Sequence, residues 1–361
     1  MKYDYSKTVE YLLDWYELNA RILPWRENPN PYYIWISEIM CQQTRVEAVK
    51  FYFERFITEL PEVKDLAFVE EEKLLKLWEG LGYYNRARNL KKAAEIIMNE
   101  YNGVVPNDYD SLLSLPGIGS YTAGAISSIA FGINRPAVDG NVLRVMKRVA
   151  GSYDDITKDS VKKELEADLR EIMPKDRPGD FNQSIMELGA LVCIPNGKPL
   201  CDKCPLMHMC EAFHGNIEMS IPVKPTKKPR KIEDRTILLI ENNGEYMIKK
   251  RPNKGLLRGL WEFPSMDGKL SAMALTDKLN EMGYYDIDIT PLGESKHIFS
   301  HIEWHMIGYL VSFKEKDMKF KDDIFYVKEE VNYDRMWVRK NELDNIYTIP
   351  TAFKYYKDFI Q

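Results

Sequence analysis

Cys193, Cys201, Cys204 and Cys210 stand in the spacing C-x7-C-x2-C-x5-C, and no other feature of the sequence constrains the fold as tightly. In a reducing compartment four thiols packed so closely point to a metal site rather than a disulfide framework. Four thiolates can close a tetrahedral zinc site or a 4Fe–4S cubane. Zinc sites usually pair two C-x2-C knuckles across a longer gap, and this run holds one, so the spacing favours iron–sulfur with zinc as the alternative. Pro195, Pro199 and Pro205 stiffen the loop. His208 could serve zinc in place of a thiolate and otherwise reads as a surface residue. The fifth cysteine, Cys41, is isolated.

At 361 residues the chain exceeds what one hydrophobic core normally serves, which predicts two domains. Up to residue 222 the apolar residues recur at a helical period, as in Val9, Leu12, Leu13 and Tyr16. The Pro- and Lys-rich stretch 223–233 reads as an extended linker. Residues 234–361 change character. Thr236–Ile240 and Tyr246–Ile248 flank an Asn-Asn-Gly-Glu turn, further strands are expected at His297–Ile302 and Ile307–Phe313, and one helix is expected at Leu270–Met282. The second domain is therefore α+β. No apolar run approaches bilayer length and Met1–Ser6 lacks a secretory pattern, so a soluble, cytoplasmic protein without membrane contact is expected. A formal net charge of −5 argues against global attraction to nucleic acid and leaves only local patches for such binding.

Between two helical patterns lies Leu115-Pro116-Gly117-Ile118-Gly119-Ser120. Gly117 and Gly119 let backbone amides approach an anion, and a turn of this kind opening a helix suits a phosphate. Two carboxylates stand out. Glu38 is flanked by Trp35, Ile36, Ile39 and Met40; burial there would raise its pKa and keep a proton on it, whereas on an amphipathic helix it would simply point outward. Asp139 precedes Gly140-Asn141 and the periodic run Val142, Leu143, Val145, Met146 and Val149, the place of a helix N-cap. Amide donors and the helix dipole are expected to keep it ionised, giving one acid and one anion.

The glycine turn, Asp139 and the cysteine run together resemble the helix-hairpin-helix superfamily of endonuclease III. Trp35–Thr44, Gly80–Tyr84 and Val138–Asn141 resemble its MutY adenine glycosylases, and the likeness covers nearly the whole chain. The first cysteine gap is one residue longer than is usual in the family, and Cys41 replaces a leucine. The resemblance implies an all-α helix-hairpin-helix glycosylase domain over 1–222 with a 4Fe–4S loop at 193–210, the linker, and a Nudix-like domain over 234–361.

It further implies that Glu38 protonates the leaving adenine, that Asp139 faces the sugar cation and bonds to it transiently, and that Tyr121 and Asn141 orient the pair. Bifunctional relatives carry a lysine at the place of Tyr121, so a monofunctional enzyme follows. Gln43 and Tyr83 match the family's wedge positions; without the resemblance they read as a helix polar residue and a core aromatic. Leu260–Pro264 matches the Nudix segment, but Thr276, Asp277, Asn280 and Glu281, with Ser265 for glycine, leave its metal box eroded. Phe299, Ser300 and His301 match the loop by which the family probes 8-oxoguanine, with Thr44 and Leu81 completing that pocket; an alternating strand accounts for Phe299 and His301 equally. Arg86, Arg88, Lys91 and Lys92, and likewise Arg144, Lys147 and Arg148, are expected at phosphates or else on solvated helix faces. The implied substrate is duplex DNA with 8-oxoguanine:adenine or guanine:adenine mispairs, bound by a monomer. A pyrimidine-lesion glycosylase, a zinc-stapled DNA-binding protein and a nucleotide diphosphate hydrolase are the alternatives.

Overall fold

The computed structural model describes residues 3–27, 29–225, 229–313 and 335–360. It divides into two compact units, Met1–Val69 with Asn85–Thr226, and Glu70–Tyr84 with Lys227–Gln361.

The first unit is helical. Its longer helices are Thr8–Asn19, Pro31–Cys41, Val46–Glu59, Asn85–Glu100, Ser120–Phe131, Gly140–Val149, Asp159–Ile172 and Pro178–Leu191. Local sequence sets their starts: proline opens the helix at Pro31, where it loses no hydrogen bond, and the Asn30 side chain accepts from the Tyr33 amide at 2.8 Å. One core joins Tyr5 and Leu12 to Val142, Val145 and Met146 and to Phe181, Ile185 and Leu188. The helix Gly140–Val149 is buried nearly all round, including Arg144, Lys147 and Arg148. These three cations, expected at phosphates or on a solvated face, lie inside instead: Arg144 donates to the Cys193 and Gly189 carbonyls, Arg148 to Cys193 Sγ, and Lys147 to Asp154. Among the described residues no helix is long and apolar enough to cross a membrane.

Among the described residues the second unit is built on a seven-stranded mixed sheet. The strands are β1 (Lys231–Asn242), β2 (Glu245–Lys250), β3 (Trp261–Glu262), β4 (Ser265–Asp267), β5 (Ile287–Ile298), β6 (Ile302–Phe313) and β7 (Arg335–Val338). The order is β3-β2-β1-β6-β5, with β4 also on β1 and β7 on β2; β1 and β6 run parallel. Alternation divides the sheet cleanly. Ile237, Leu239, Trp304 and Met306 pack with Phe353 and Tyr356 on one face, while Leu238, Ile240, Tyr309 and Val311 pack with Leu275 and Leu279 of the helix Ala272–Glu281 on the other. Gly308 is required on β6, since a Cβ there would lie 2.1 Å from Cε1 of Tyr356.

Three expectations are corrected. The linker is shorter than 223–233, because Lys231 already pairs with Ile302 in the parallel ladder. The strand expected at His297–Ile302 is instead the end of β5, a turn at 299–301 and the start of β6, closed by the Phe299 amide on the Ile302 carbonyl at 2.8 Å. The segment Glu70–Tyr84 precedes the linker yet belongs to the second unit. Glu72 accepts from Lys250 Nζ at 2.7 Å and from Trp261 Nε1 at 3.2 Å. Lys76 Nζ donates to the Leu343 carbonyl at 2.9 Å, and the Ile349 amide donates to Glu79 at 3.1 Å.

Candidate active site

A short helix, Tyr109–Ser114, leads into the turn that opens the helix Ser120–Phe131. Leu115 and Ile118 are buried and anchor the turn, while Gly117 and Gly119 are exposed. Gly117 has φ +82°, and a Cβ on it would lie 2.8 Å from Cβ of Asn89, so this position is closed to other residues twice over. Gly119 is the N-cap of the following helix, so unpaired amides of the first turn face outward there.

Glu38 lies on the helix Pro31–Cys41, where Trp35, Ile36, Ile39 and Met40 are all buried. That helix packs against Ser120–Phe131, which brings the Tyr121 hydroxyl to donate to Glu38 Oε2 at 2.6 Å. Burial pushes the Glu38 carboxyl up to about 7; the Tyr121 hydrogen bond opposes this, the Asp139 charge adds to it, and the Arg26 guanidinium pulls it back. At neutral pH Glu38 therefore holds a proton a substantial part of the time.

Asp139 caps the helix Gly140–Val149, accepting from the Asn141 and Val142 amides at 2.8 Å each and from Asn141 Nδ2 at 2.7 Å. The expected donors are present. Burial outweighs them, so the net direction of its pKa is upward. What separates the two carboxyls is their partners: Asp139 has three N–H donors fixed on its charge, and Glu38 has one hydroxyl. Asn141 is fixed in turn by Arg144 Nη2 at 2.9 Å, and Arg144 Nε donates to the Cys193 carbonyl at 2.8 Å.

Sequence reasoning missed the support around this pair. Glu187, 1% exposed, accepts from Arg21 Nε at 2.6 Å and Arg26 Nη2 at 3.0 Å, and Gln183 accepts from Arg26 Nε at 2.9 Å. This network holds Arg26 where its charge reaches Glu38. No sequence signal marks a carboxylate paired with arginines more than 150 positions away.

Cys193, Cys201, Cys204 and Cys210 line one cavity together with Val145, Arg148 and Val149. Arg148 Nη1 donates to Cys193 Sγ at 3.3 Å and to the Ile194 carbonyl at 3.1 Å. Burial pushes the Cys204 thiol up to about 12, with the other three sulfurs adding to the effect, so four thiolates can coexist here only around a cationic centre. The donor set fits such a group. Among the described residues no group of three or more His, Cys, Asp or Glu is placed to hold a metal ion. Cys41 lies apart at the end of the Glu38 helix, and burial pushes its thiol strongly upward, as expected of an inert packing group.

Gln43 is exposed with φ +57° and follows the Glu38 helix directly; Thr44 donates its hydroxyl to the Gln42 carbonyl at 3.4 Å. In the second unit Tyr83 is 52% exposed with φ +47°. Leu81 is buried and presents no side chain to a ligand in this conformation. Phe299 packs edge-on against Trp304 with ring centroids 4.8 Å apart, whereas Ser300 and His301 are exposed at the hairpin tip. The helix carrying Thr276, Asp277, Asn280 and Glu281 holds no metal cluster among the described residues. Glu262 is buried and paired with Lys249 and Arg251.

The HhH-GPD superfamily base excision DNA repair protein family matches residues 36–171, and the NUDIX domain family matches residues 236–358. The adenine DNA glycosylase of Buchnera aphidicola subsp. Schizaphis graminum is 35% identical over 321 residues, covering 88% of this chain and 92% of that protein. The adenine DNA glycosylase of Arabidopsis thaliana is 38% identical over 350 residues, covering 81% of this chain but 55% of that protein, so the chain spans about half its length. A trapped covalent intermediate of endonuclease III with DNA is 31% identical with a TM-score of 0.51, over 60% of this chain and 100% of that one. With a helical repair domain followed by a NUDIX domain, and a relative matched over nearly its whole length, the chain belongs to the adenine DNA glycosylase family.

Proposed function

We propose that this protein excises adenine mispaired with 8-oxoguanine or guanine in duplex DNA, by acid-assisted hydrolysis of the N-glycosidic bond and without cleaving the strand. The observation that carries the reading is the half-buried Glu38, bonded to the Tyr121 hydroxyl at 2.6 Å, with burial and the Asp139 charge pushing its carboxyl up to about 7. Adenine leaves poorly as an anion. Glu38 gives its proton to the base as the bond breaks, and the Asp139 carboxylate, held by Asn141 and two amides, faces the oxocarbenium-like sugar. Tyr121 orients Glu38 and offers no amine for a Schiff base, which supports a monofunctional enzyme.

The base reaches this pocket only after leaving the stack. Gln43 and Tyr83, both exposed and both in the left-handed region unfavourable to residues other than glycine, fit a wedge role. The exposed Ser300 and His301 read the base opposite, and Gly117 and Gly119 present amides to a phosphate. Cys193, Cys201, Cys204 and Cys210 would hold a 4Fe–4S cluster, which when bound would supply a structural staple to the loop.

The test is incubation with duplexes holding adenine opposite 8-oxoguanine or guanine, followed by assay for free adenine. Absence of release, with an active control enzyme, overturns the reading.

A further inference from the structure

The turn after the Glu38 helix carries strain that something must hold. Gln42 is the C-cap of Pro31–Cys41, and Gln43 follows it at φ +57°, a position glycine usually fills because a side chain crowds the backbone there. The last carbonyls of a helix have no partners within it. Here one guanidinium nitrogen serves the turn: Arg86 Nη1 donates to the carbonyls of Ile39 at 2.8 Å, Met40 at 3.0 Å and Gln42 at 2.7 Å. The Arg86 charge also lies at the negative end of the helix dipole.

Arg86 stands in the first turn of Asn85–Glu100, and Asn89, three residues on, lies on the same face. Asn89 is the residue that meets the Gly117 turn, and Gln42, Arg86, Asn89 and Gly117 line one small recess. Gln42 Nε2 also donates to Thr122 Oγ1 at 3.3 Å, beside Tyr121. One helix face thus braces both the turn that presents Gln43 and the glycine turn.

We infer that Arg86 is a positioning residue for base extrusion, holding Gln43 in its left-handed conformation and tying that turn to the glycine turn. It acts through backbone carbonyls and does not touch the reacting atoms. The inference rests on the wedge role proposed for Gln43.

The test uses the full chain with Arg86→Met, Arg86→Lys and Gln43→Gly. Extrusion is followed by 2-aminopurine fluorescence in the duplex, chemistry by single-turnover adenine release across pH, and folding by thermal melting. For Arg86→Met the extrusion signal and release rate are expected to fall on the order of 10²-fold. Release should also stop following the Glu38 titration, because extrusion becomes the slow step; loss of general stability alone does not produce that change. Arg86→Lys, whose ammonium keeps the charge and three donors on one nitrogen but stands on a shorter side chain than the guanidinium Nη1, is expected to fall between wild type and Arg86→Met, and it decides the matter where Arg86→Met does not fold. Wild-type extrusion and an unchanged pH profile in the folded variants overturn the inference. Gln43→Gly is expected to melt higher, its strain relieved, while losing extrusion. Wild-type extrusion by Gln43→Gly instead removes the wedge reading itself, whatever the arginine variants do.

Discussion

Replacing Tyr121 with phenylalanine isolates one hydrogen bond and moves one titration. The ring stays, so the burial that raises Glu38 is kept, and only the 2.6 Å donation to Oε2 is lost. That donation favours the charged carboxylate, so its loss raises the pKa further. A hydrogen bond to a charged group is worth about 1.5–3 kcal/mol, and a pKa unit corresponds to about 1.4 kcal/mol, which gives a rise of roughly one to two units. With Glu38 as the proposed acid, adenine release is lost as pH rises through its pKa. In wild type this alkaline limb lies near 7; in Tyr121→Phe it is expected near 8–9 by the same conversion. Single-turnover release on an 8-oxoguanine:adenine duplex, followed from about pH 5 to about pH 10, reads the limb separately from any drop in plateau rate. A limb that stays in place or moves to lower pH refutes the reasoning, because Tyr121 then does not stabilise the ionised form of the catalytic acid.

Glu38→Gln is expected to abolish release and yet to stabilise the fold at alkaline pH. The folded-state pKa is raised from 4.5 to about 7, so the contribution of Glu38 is whole below 4.5 and is lost as pH rises through 7. Denaturant unfolding should show Glu38→Gln gaining about 3 kcal/mol over wild type at pH 8 and nothing near pH 4. Arg148→Met should cost about 1–3 kcal/mol in unfolding experiments while leaving the salt dependence of DNA affinity unchanged, since Arg148 is 3% exposed and its loss leaves the carbonyls of the buried Ile221 and of Ile194 without that donor. A reduced salt slope would return this residue to the DNA surface. Ser300→Ala should narrow the preference for 8-oxoguanine over guanine opposite adenine by roughly fivefold, the worth of one hydrogen bond, with melting unchanged; an unaltered ratio removes Ser300 from reading.

Features that depend on neighbours in sequence were legible, and those set by distant packing were not. The glycine turn, the N-cap at Asp139 and the apolar neighbours of Glu38 act over a few residues, and each appears where expected. The helical period of Arg144, Lys147 and Arg148 is just as local, but whether that face meets water depends on the cysteine loop some 45 residues later. The upward direction at Asp139 likewise comes from burial by remote elements, which overrides donors that the sequence does announce. Alternation could not reveal the turn at 299–301, because only three residues separate β5 from β6 and the apolar pattern runs on through it. The placement of Glu70–Tyr84 with the second unit rests on Glu72 and Lys76 finding partners beyond residue 249, which no window on the sequence contains.

Arg144, Lys147 and Arg148 are spent inside the fold, which sharpens the electrostatics of an already acidic chain. With a net charge of −5 and three basic residues withdrawn from the surface, the protein has little long-range pull on a polyanion. Affinity must then come from short-range contacts, such as exposed amides at the Gly117 turn, which displace fewer counterions than a lysine-rich face. The proposed wedge residues, Gln43 and Tyr83, are uncharged, and so are Ser300 and the Tyr121 hydroxyl. Salt should therefore weaken binding only shallowly and leave the later steps alone: in single-turnover experiments the concentration for half-saturation rises gently with ionic strength while the saturated rate of adenine release stays flat. A saturated rate that falls with salt would mean that cations act in extrusion or chemistry directly, and the assignment of extrusion to uncharged groups would fail.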